Sequence, residues 1–263
     1  MKNLMGQKVD SIEIMRQCAA VGDRIFSLVC KELKKDIIKK QIKTEIELAN
    51  FIKSQILKAG GTEAFPVIVT SGPRAGNDIH PVPTTTKLTG FVIIDYGIKM
   101  PAGRIGGAGY CSDMTRTVYI GKPTKSEIEL YNAVLLAQNG SARYLKAGFL
   151  ASASDAFARG ILSQYSHTRY GNNLVVQLPS KKSKTLDQYF IHTLGHGIGK
   201  KVHESPKLYF KSREIIKAGK VITIEPGIYI PKTLGIRIED MYLVTDGLPE
   251  QITKSPKKLL VFK

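Results

Sequence analysis

Four acidic side chains stand in or directly beside apolar, strand-like runs, and that placement limits what the chain can fold into. Asp95 closes the run Phe91-Val92-Ile93-Ile94, and Asp113 opens a β-branched stretch through Thr115, Thr117 and Val118 to Ile120. Glu225 follows Val221-Ile222-Thr223-Ile224 directly, and Glu239 lies inside Gly235-Ile236-Arg237-Ile238-Glu239-Asp240. A carboxylate carried into an apolar layer is costly unless it is paired or binds a cation. One such residue has an ordinary explanation as a cap or an ion pair; four together point to a shared site.

The histidines add to this pattern. Of five in the chain, His192, His196 and His203 fall within one short segment. His192 and His196 have the i, i+4 spacing of a zinc-protease helix. Thr193, however, stands where that motif needs a glutamate, and Gly195 and Gly197 flank the second histidine, which argues against it. Glycines on both sides of His196 let the backbone approach closely, as a ligand position needs. His80 and His167 stand alone, and His167 reads as an ordinary satisfied histidine. One histidine with four carboxylates is an oxygen-rich donor set that suits Mn²⁺, Co²⁺, Fe²⁺ or Zn²⁺ better than a structural zinc. Four carboxylates neutralise two divalent cations, and paired cations are the arrangement of metal-assisted hydrolysis.

Around these residues the periodicities alternate. Apolar positions at three- and four-residue steps predict helices over 11–33, 44–59, 125–146 and 152–165. Gly60-Gly61 stops the second of these. Strands are predicted over 65–71, 89–95, 113–120 and 221–225, with a strand pair at 227–231 and 235–245. The order of helices, strands, helices, strands is α+β, and no Pro/Gly/Ser-rich linker divides it, so 1–263 reads as one domain.

With 39 Lys+Arg against 22 Asp+Glu, the net charge is +17. That suits a nucleic-acid or acidic partner and equally a lysine-rich solvated surface. The basic pairs Lys34-Lys35, Lys39-Lys40, Lys181-Lys182 and Lys257-Lys258 are scattered, without interleaved aromatics, so no nucleic-acid partner is expected. Three separated cysteines and no CxxC pair exclude a disulfide framework, and neither an export signal nor a membrane-length apolar run is present. A cytoplasmic location is the expectation.

Taken in order, these segments resemble the pita-bread metallopeptidases of family M24, which include methionine aminopeptidase, Xaa-Pro aminopeptidase, Xaa-Pro dipeptidase (prolidase) and creatinase. Five segments carry the resemblance: Ile94-Asp95-Tyr96-Gly97, Ser112-Asp113-Met114-Thr115-Arg116-Thr117, Gly195-His196-Gly197-Ile198-Gly199, Ile224-Glu225-Pro226-Gly227 and Arg237-Ile238-Glu239-Asp240. The implied fold is α+β, a pseudo-twofold antiparallel sheet flanked by helices. The implied metal ligands are Asp95, Asp113, His196, Glu225 and Glu239, holding two divalent ions, Mn²⁺ or Co²⁺ first and Zn²⁺ or Fe²⁺ next. Asp113 and Glu239 would bridge, and Glu225 would also shuttle the proton of the attacking water. His203 and His192 would steady the carbonyl oxygen and the tetrahedral intermediate. His80, after Ser71-Gly72-Pro73, matches a further site histidine, and Arg237 would anchor Glu239 or bind a substrate carboxylate.

The segments Asp-x-Thr-Arg-Thr and Ile-Arg-Ile-Glu-Asp resemble the Xaa-Pro aminopeptidase and prolidase branch. The implied activity is removal of an N-terminal residue preceding proline, with prolidase or methionine aminopeptidase as the alternatives. A catalytically silent relative that binds nucleic acid or the ribosome is the alternative outside that class. The implied partner is a peptide, and the implied state a monomer or a homodimer. Two departures stand out. Asp95 and Asp113 are 18 positions apart where the family has about eleven, the extra residues reading as a Gly-rich hairpin over 100–109. The length also leaves no room for the additional N-terminal domain usual in that branch.

Overall fold

The computed structural model describes residues 11–100, 109–170, 173–180 and 183–263. The Gly-rich hairpin expected over 100–109 falls almost wholly outside them.

The chain opens with two helices, α1 (Ser11–Lys39) and α2 (Glu45–Lys58). Ile14, Cys18, Val21, Ile25, Val29 and Leu33 recur along one side of α1 and are buried, as the spacing predicts. The helix runs one and a half turns past the expected Leu33, because Asp36 turns inward and pairs with Lys43 at 3.1 Å. Thr44 and Glu47 close a capping box on α2, and Gly60, at φ 78°, ends it.

Then follow β1 (Thr62–Glu63), β2 (Ile68–Ser71), β3 (Gly90–Tyr96), β4 (Ile98–Lys99) and β5 (Met114–Ile120). Strand β2 begins three residues later than expected, past Pro66, which lacks an N–H for the ladder. In β3 the side chains alternate between two apolar environments. Val92, Ile94 and Tyr96 join the α1–α2 core, whereas Ile93 packs with Ala75 and Tyr229 on the other face. Asp95 shares the Ile93 face, away from the helices.

The second half repeats the plan with α3 (Lys125–Ala142), α4 (Ala151–Leu162), β6 (Ser166–Tyr170), β7 (Asn173–Gln177), β8 (Gly195–Ile198), β9 (Glu204–Leu208) and β10 (Val221–Ile224). It ends in the hairpin β11 (Gly227–Ile230) and β12 (Leu234–Arg237), then β13 (Asp240–Leu243), β14 (Glu250–Gln251) and β15 (Val261–Phe262). The expected helix 125–146 ends at Ala142, and the expected strand 235–245 is two strands parted at Ile238-Glu239.

Among the described residues the strands form a four-stranded sheet, β15-β5-β3-β2, a five-stranded sheet, β14-β13-β10-β8-β9, and the two-stranded pairs β1-β4, β6-β7 and β11-β12; every pairing is antiparallel except β15 on β5. Each helix pair covers its own core, α1–α2 beside the first sheet and α3–α4 beside the second. Buried Arg116 ties the halves together. From β5 it donates to Asp240 Oδ1 at 2.6 Å and to the Glu239 and Ser255 carbonyls at 2.5 and 2.8 Å. No described helix is long and apolar enough to cross a membrane.

Candidate metal centre

The five expected ligands arrive from both halves. Asp95 is the penultimate residue of β3 and Asp113 directly precedes β5. His196 lies in β8, Glu225 directly follows β10, and Glu239 occupies the break between β12 and β13. All five line one cavity of about 470 Å³, together with an apolar wall that includes Phe65, Pro66, Val82 and Val202. Ligand atoms of Asp113, His196 and Glu239 lie within 4.8 Å of one another. His196 Nε2 stands 3.3 Å from Glu225 Oε1 and 3.8 Å from Asp113 Oδ2.

Local packing fixes these positions. A methyl group at residue 195 would overlap the Thr223 carbonyl, and one at 197 the Ser205 carbonyl, so the glycines flanking His196 let β8 lie against its neighbours. The Asp113 N–H donates to Met241 Sδ at 3.2 Å. Thr115 Oγ1 donates to Glu239 Oε2 at 2.8 Å.

Arg237 differs from the expectation in which carboxylate it holds. Its Nη2 meets Asp95 Oδ2 at 2.6 Å, its Nη1 donates to Tyr229 Oη at 2.6 Å and to the Ile79 carbonyl at 3.1 Å, and its Nε to Thr115 Oγ1 at 3.2 Å. The guanidinium therefore anchors Asp95, and Glu239 depends on Thr115. His192 also departs from its expected role as a donor to substrate. Its Nδ1–H donates to the Thr193 carbonyl at 2.8 Å, and its Nε2 accepts from Tyr229 Oη at 3.0 Å. With both nitrogens engaged, the ring orients Tyr229.

His80 sits exposed where the two cavities of the site meet, on a segment braced from below by buried Glu45. That carboxylate accepts from the Ser71 and Thr84 N–H groups at 2.9 and 3.0 Å and pairs with Arg74 at 3.2 Å. The His203 ring stands edge-on to His196, centroids 4.3 Å apart. A second cavity of about 250 Å³ adjoins, lined by His80, His192, His203, Glu225 and Lys207 among others. His167 stays apart from the site, in β6 against the Tyr189 ring.

The electrostatics suit cations. Burial, then the neighbouring carboxylates, push Asp113 and Glu239 well above the usual carboxylate range, and burial raises Asp95 against the pull of Arg237. Burial also acts upward on Glu225, but the hydrogen bond and charge of His196 outweigh it and hold Glu225 low. His196 is pushed up to about 9: burial opposes its charge, and Glu225 overrides burial. Burial lowers His192 to about 4, and burial with the His196 charge lowers His203. Asp95 Oδ1 is buried with no hydrogen-bond partner among the described residues. Crowded carboxylates that resist ionisation, with one oxygen left over, fit divalent cations.

Tyr229, Thr115 and Lys207 were not among the expected site residues. Tyr229 reads as a core aromatic in Gly227-Ile228-Tyr229-Ile230, and Thr115 as one more β-branched strand residue. Lys207 shows a signal only once β9 is paired with β8, which sets it directly opposite His196.

Fold and site together define a protein that gathers carboxylates and a histidine from two similar halves around a cation-binding cavity. The chain belongs to Metallopeptidase family M24, which it matches over residues 13–246, and it has the pita-bread fold. It is 32% identical to the Xaa-Pro dipeptidase of Pyrococcus furiosus over 255 residues, covering 95% of this chain and 64% of that protein. A prolidase structure from Thermococcus sibiricus superposes with a TM-score of 0.79 at 34% identity, over 96% of this chain and 61% of that one. An X-Pro aminopeptidase structure from Thermotoga maritima gives 0.79 at 28% identity, over 95% and 63%. The chain thus spans less than two thirds of the length of these relatives.

Proposed function

We propose that this chain is a dinuclear-metal exopeptidase that cleaves Xaa-Pro dipeptides. Asp95, Asp113, His196, Glu225 and Glu239 would hold two divalent cations, which supply Lewis-acid polarisation of the scissile carbonyl and acidify water. Glu225 takes the proton of the attacking water on a carboxylate oxygen and returns it to the leaving amine. His203, whose charged form burial disfavours, donates an N–H to the carbonyl oxygen. Tyr229 and Arg237 keep Asp95 in place. A proline after the scissile bond has no amide N–H and a fixed φ, so shape alone can select it.

Lys207 carries the choice of a dipeptide. Paired opposite His196, it lines the smaller cavity beside His203, and its ammonium makes no ion pair among the described residues. A free cation there is suited to the terminal carboxylate of a substrate that ends one residue past the cut. The similarity to proteins named Xaa-Pro dipeptidase supports the same reading.

The test is Mn²⁺- or Co²⁺-loaded protein on Ala-Pro, Ala-Pro-Ala and Met-Ala-Ser. Cleavage of Ala-Pro alone is expected, with Lys207→Met raising its KM about tenfold through loss of the charged contact. Equal cleavage of Ala-Pro-Ala would make it an aminopeptidase, and cleavage of Met-Ala-Ser alone a methionine aminopeptidase. No turnover of any of the three by metal-loaded protein would overturn the reading.

A further inference from the structure

Between the turn at Leu186–Tyr189 and β8 runs the irregular segment that carries His192, and a side chain from outside the cavity holds two of its backbone carbonyls. Arg159, on α4, donates from Nη1 to the Phe190 carbonyl at 2.9 Å and from Nη2 to the His192 carbonyl at 3.0 Å. Its third donor, Nε, meets Asp155 Oδ2 at 2.9 Å, and that aspartate is fully buried one helical turn earlier. The guanidinium lies 4.4 Å from the centre of the Phe190 ring, and Phe190 in turn stands edge-on to the His192 ring at 5.0 Å. Two carbonyls two residues apart are matched by the two prongs of one planar fork, which fixes the path of the chain as a single point charge could not.

We propose that Asp155 and Arg159 are positioning residues for the cavity, acting from outside it through His192. From Arg159 the connection runs to the His192 backbone, then from His192 Nε2 to Tyr229, from Tyr229 to Arg237 and from Arg237 to Asp95, in hydrogen bonds of 2.6 to 3.0 Å. Neither Asp155 nor Arg159 lines the cavity, so neither is a catalytic residue. The inference rests on reading that cavity as the hydrolytic site. About a quarter of the Arg159 side chain meets solvent, so water can replace its donors when it is removed. Removing Arg159 also leaves buried Asp155 without its ion pair, so the alanine variant is less stable; Arg159→Lys keeps a charge beside Asp155, and a kcat loss in that folded variant separates the clamp from stability.

The experiment uses the full chain with Arg159→Ala and Arg159→Lys, the second retaining charge and stem. One arm measures kcat and KM on Ala-Pro with Mn²⁺, with and without millimolar guanidinium. The other follows the His192 ring nitrogens by NMR in chelated protein, where wild type should show the Nδ1–H tautomer. Both variants are expected to lose about 10- to 100-fold in kcat with little change in KM, the scale of a small misplacement of reacting groups. Guanidinium should restore part of the alanine variant's rate and its His192 signal. Full kcat in the lysine variant, an unchanged His192 signal in the alanine variant, or a rate loss that guanidinium leaves untouched would each overturn the proposal. If wild type cleaves no dipeptide, the hydrolytic reading fails, and the NMR arm alone decides whether Arg159 sets the His192 ring.

Discussion

Replacing Arg237 with methionine isolates the interaction on which the cavity most depends. Methionine keeps much of the buried stem, so packing changes least and the loss falls on the four hydrogen bonds to Asp95, Tyr229, Ile79 and Thr115. Tyr229 retains His192, and Thr115 retains Glu239, but Asp95 keeps only the neighbouring Thr115 hydroxyl, which already donates to Glu239. Breaking a buried ion pair from one side costs about 3–5 kcal/mol, because the abandoned charge remains in a poor solvent. For a chain of this size that is on the order of 6–20 °C in Tm. Urea unfolding of chelated protein near neutral pH measures it, and adding Asp95→Asn should return about 2 kcal/mol, since the neutral amide leaves no orphaned charge. The deficit also depends on pH. Asp95 already titrates above its ordinary range, and without Arg237 it titrates higher still. The folded state then binds this proton more tightly than the unfolded chain. The deficit is therefore largest above the folded-state pKa of Asp95 and shrinks as the pH falls through it. A cost below about 1 kcal/mol, or a double variant less stable than Arg237→Met alone, would refute the assignment of Asp95 as the charge that Arg237 neutralises.

Mn²⁺ at about a hundred times its dissociation constant should stabilise the protein by about 2.7 kcal/mol and release protons from His196, Asp113 and Glu239. Calorimetry in two buffers of different ionisation enthalpy reads the release, and Glu239→Gln should abolish most of the stabilisation. Glu225→Gln should lower turnover at least about 100-fold, and retained activity would remove it from the proton-carrying role. Gly195→Ala should cost about 1–3 kcal/mol or more in urea unfolding, as the added methyl forces β8 off the Thr223 carbonyl. An unchanged midpoint would show that the strands have room to shift.

The candidate ligand residues were legible because each breaks a local rule: an acid after four apolar residues at Asp95, another after Val221–Ile224 at Glu225, a histidine between glycines at 196. The strand carrying Asp95 was legible for the same reason, as an uninterrupted apolar run buried on both faces. The partners of these residues break no rule. Tyr229 suits a buried strand whether or not its hydroxyl joins His192 to Arg237. Arg159 is one basic residue on an amphipathic helix until the 190–192 carbonyls are seen beside it. The resemblance implied that Arg237 anchors Glu239 or binds a substrate carboxylate. Residues two apart on a strand share a face, but the chain leaves β12 before Glu239, and the carboxylate nearest the guanidinium comes from β3 instead. Helix ends were missed where a single contact prolongs or cuts a helix, as Asp36 with Lys43 does for α1.

How Asp95 divides its oxygens follows from the charges around it. Four carboxylates face the cavity, and Arg237 and a protonated His196 are the positive groups that their titration responds to most directly. The two cations are not equivalent. Burial opposes the His196 charge and Glu225 outweighs burial, so His196 is pushed up to about 9; a histidine coordinates a metal only when neutral, so a divalent ion held there would displace that proton. The guanidinium keeps its charge in either state. A permanent cation would compete with a metal for these carboxylates, and Arg237 spends its contact on Asp95 Oδ2, while Oδ1 stays buried with no hydrogen-bond partner among the described residues. A lysine has no planar fork to hold Asp95, Tyr229 and Thr115 in one arrangement, and its ammonium could swing toward the other carboxylates. Thr115 reinforces the separation by accepting from Arg237 Nε and donating to Glu239, so the guanidinium fixes both acids without touching the second.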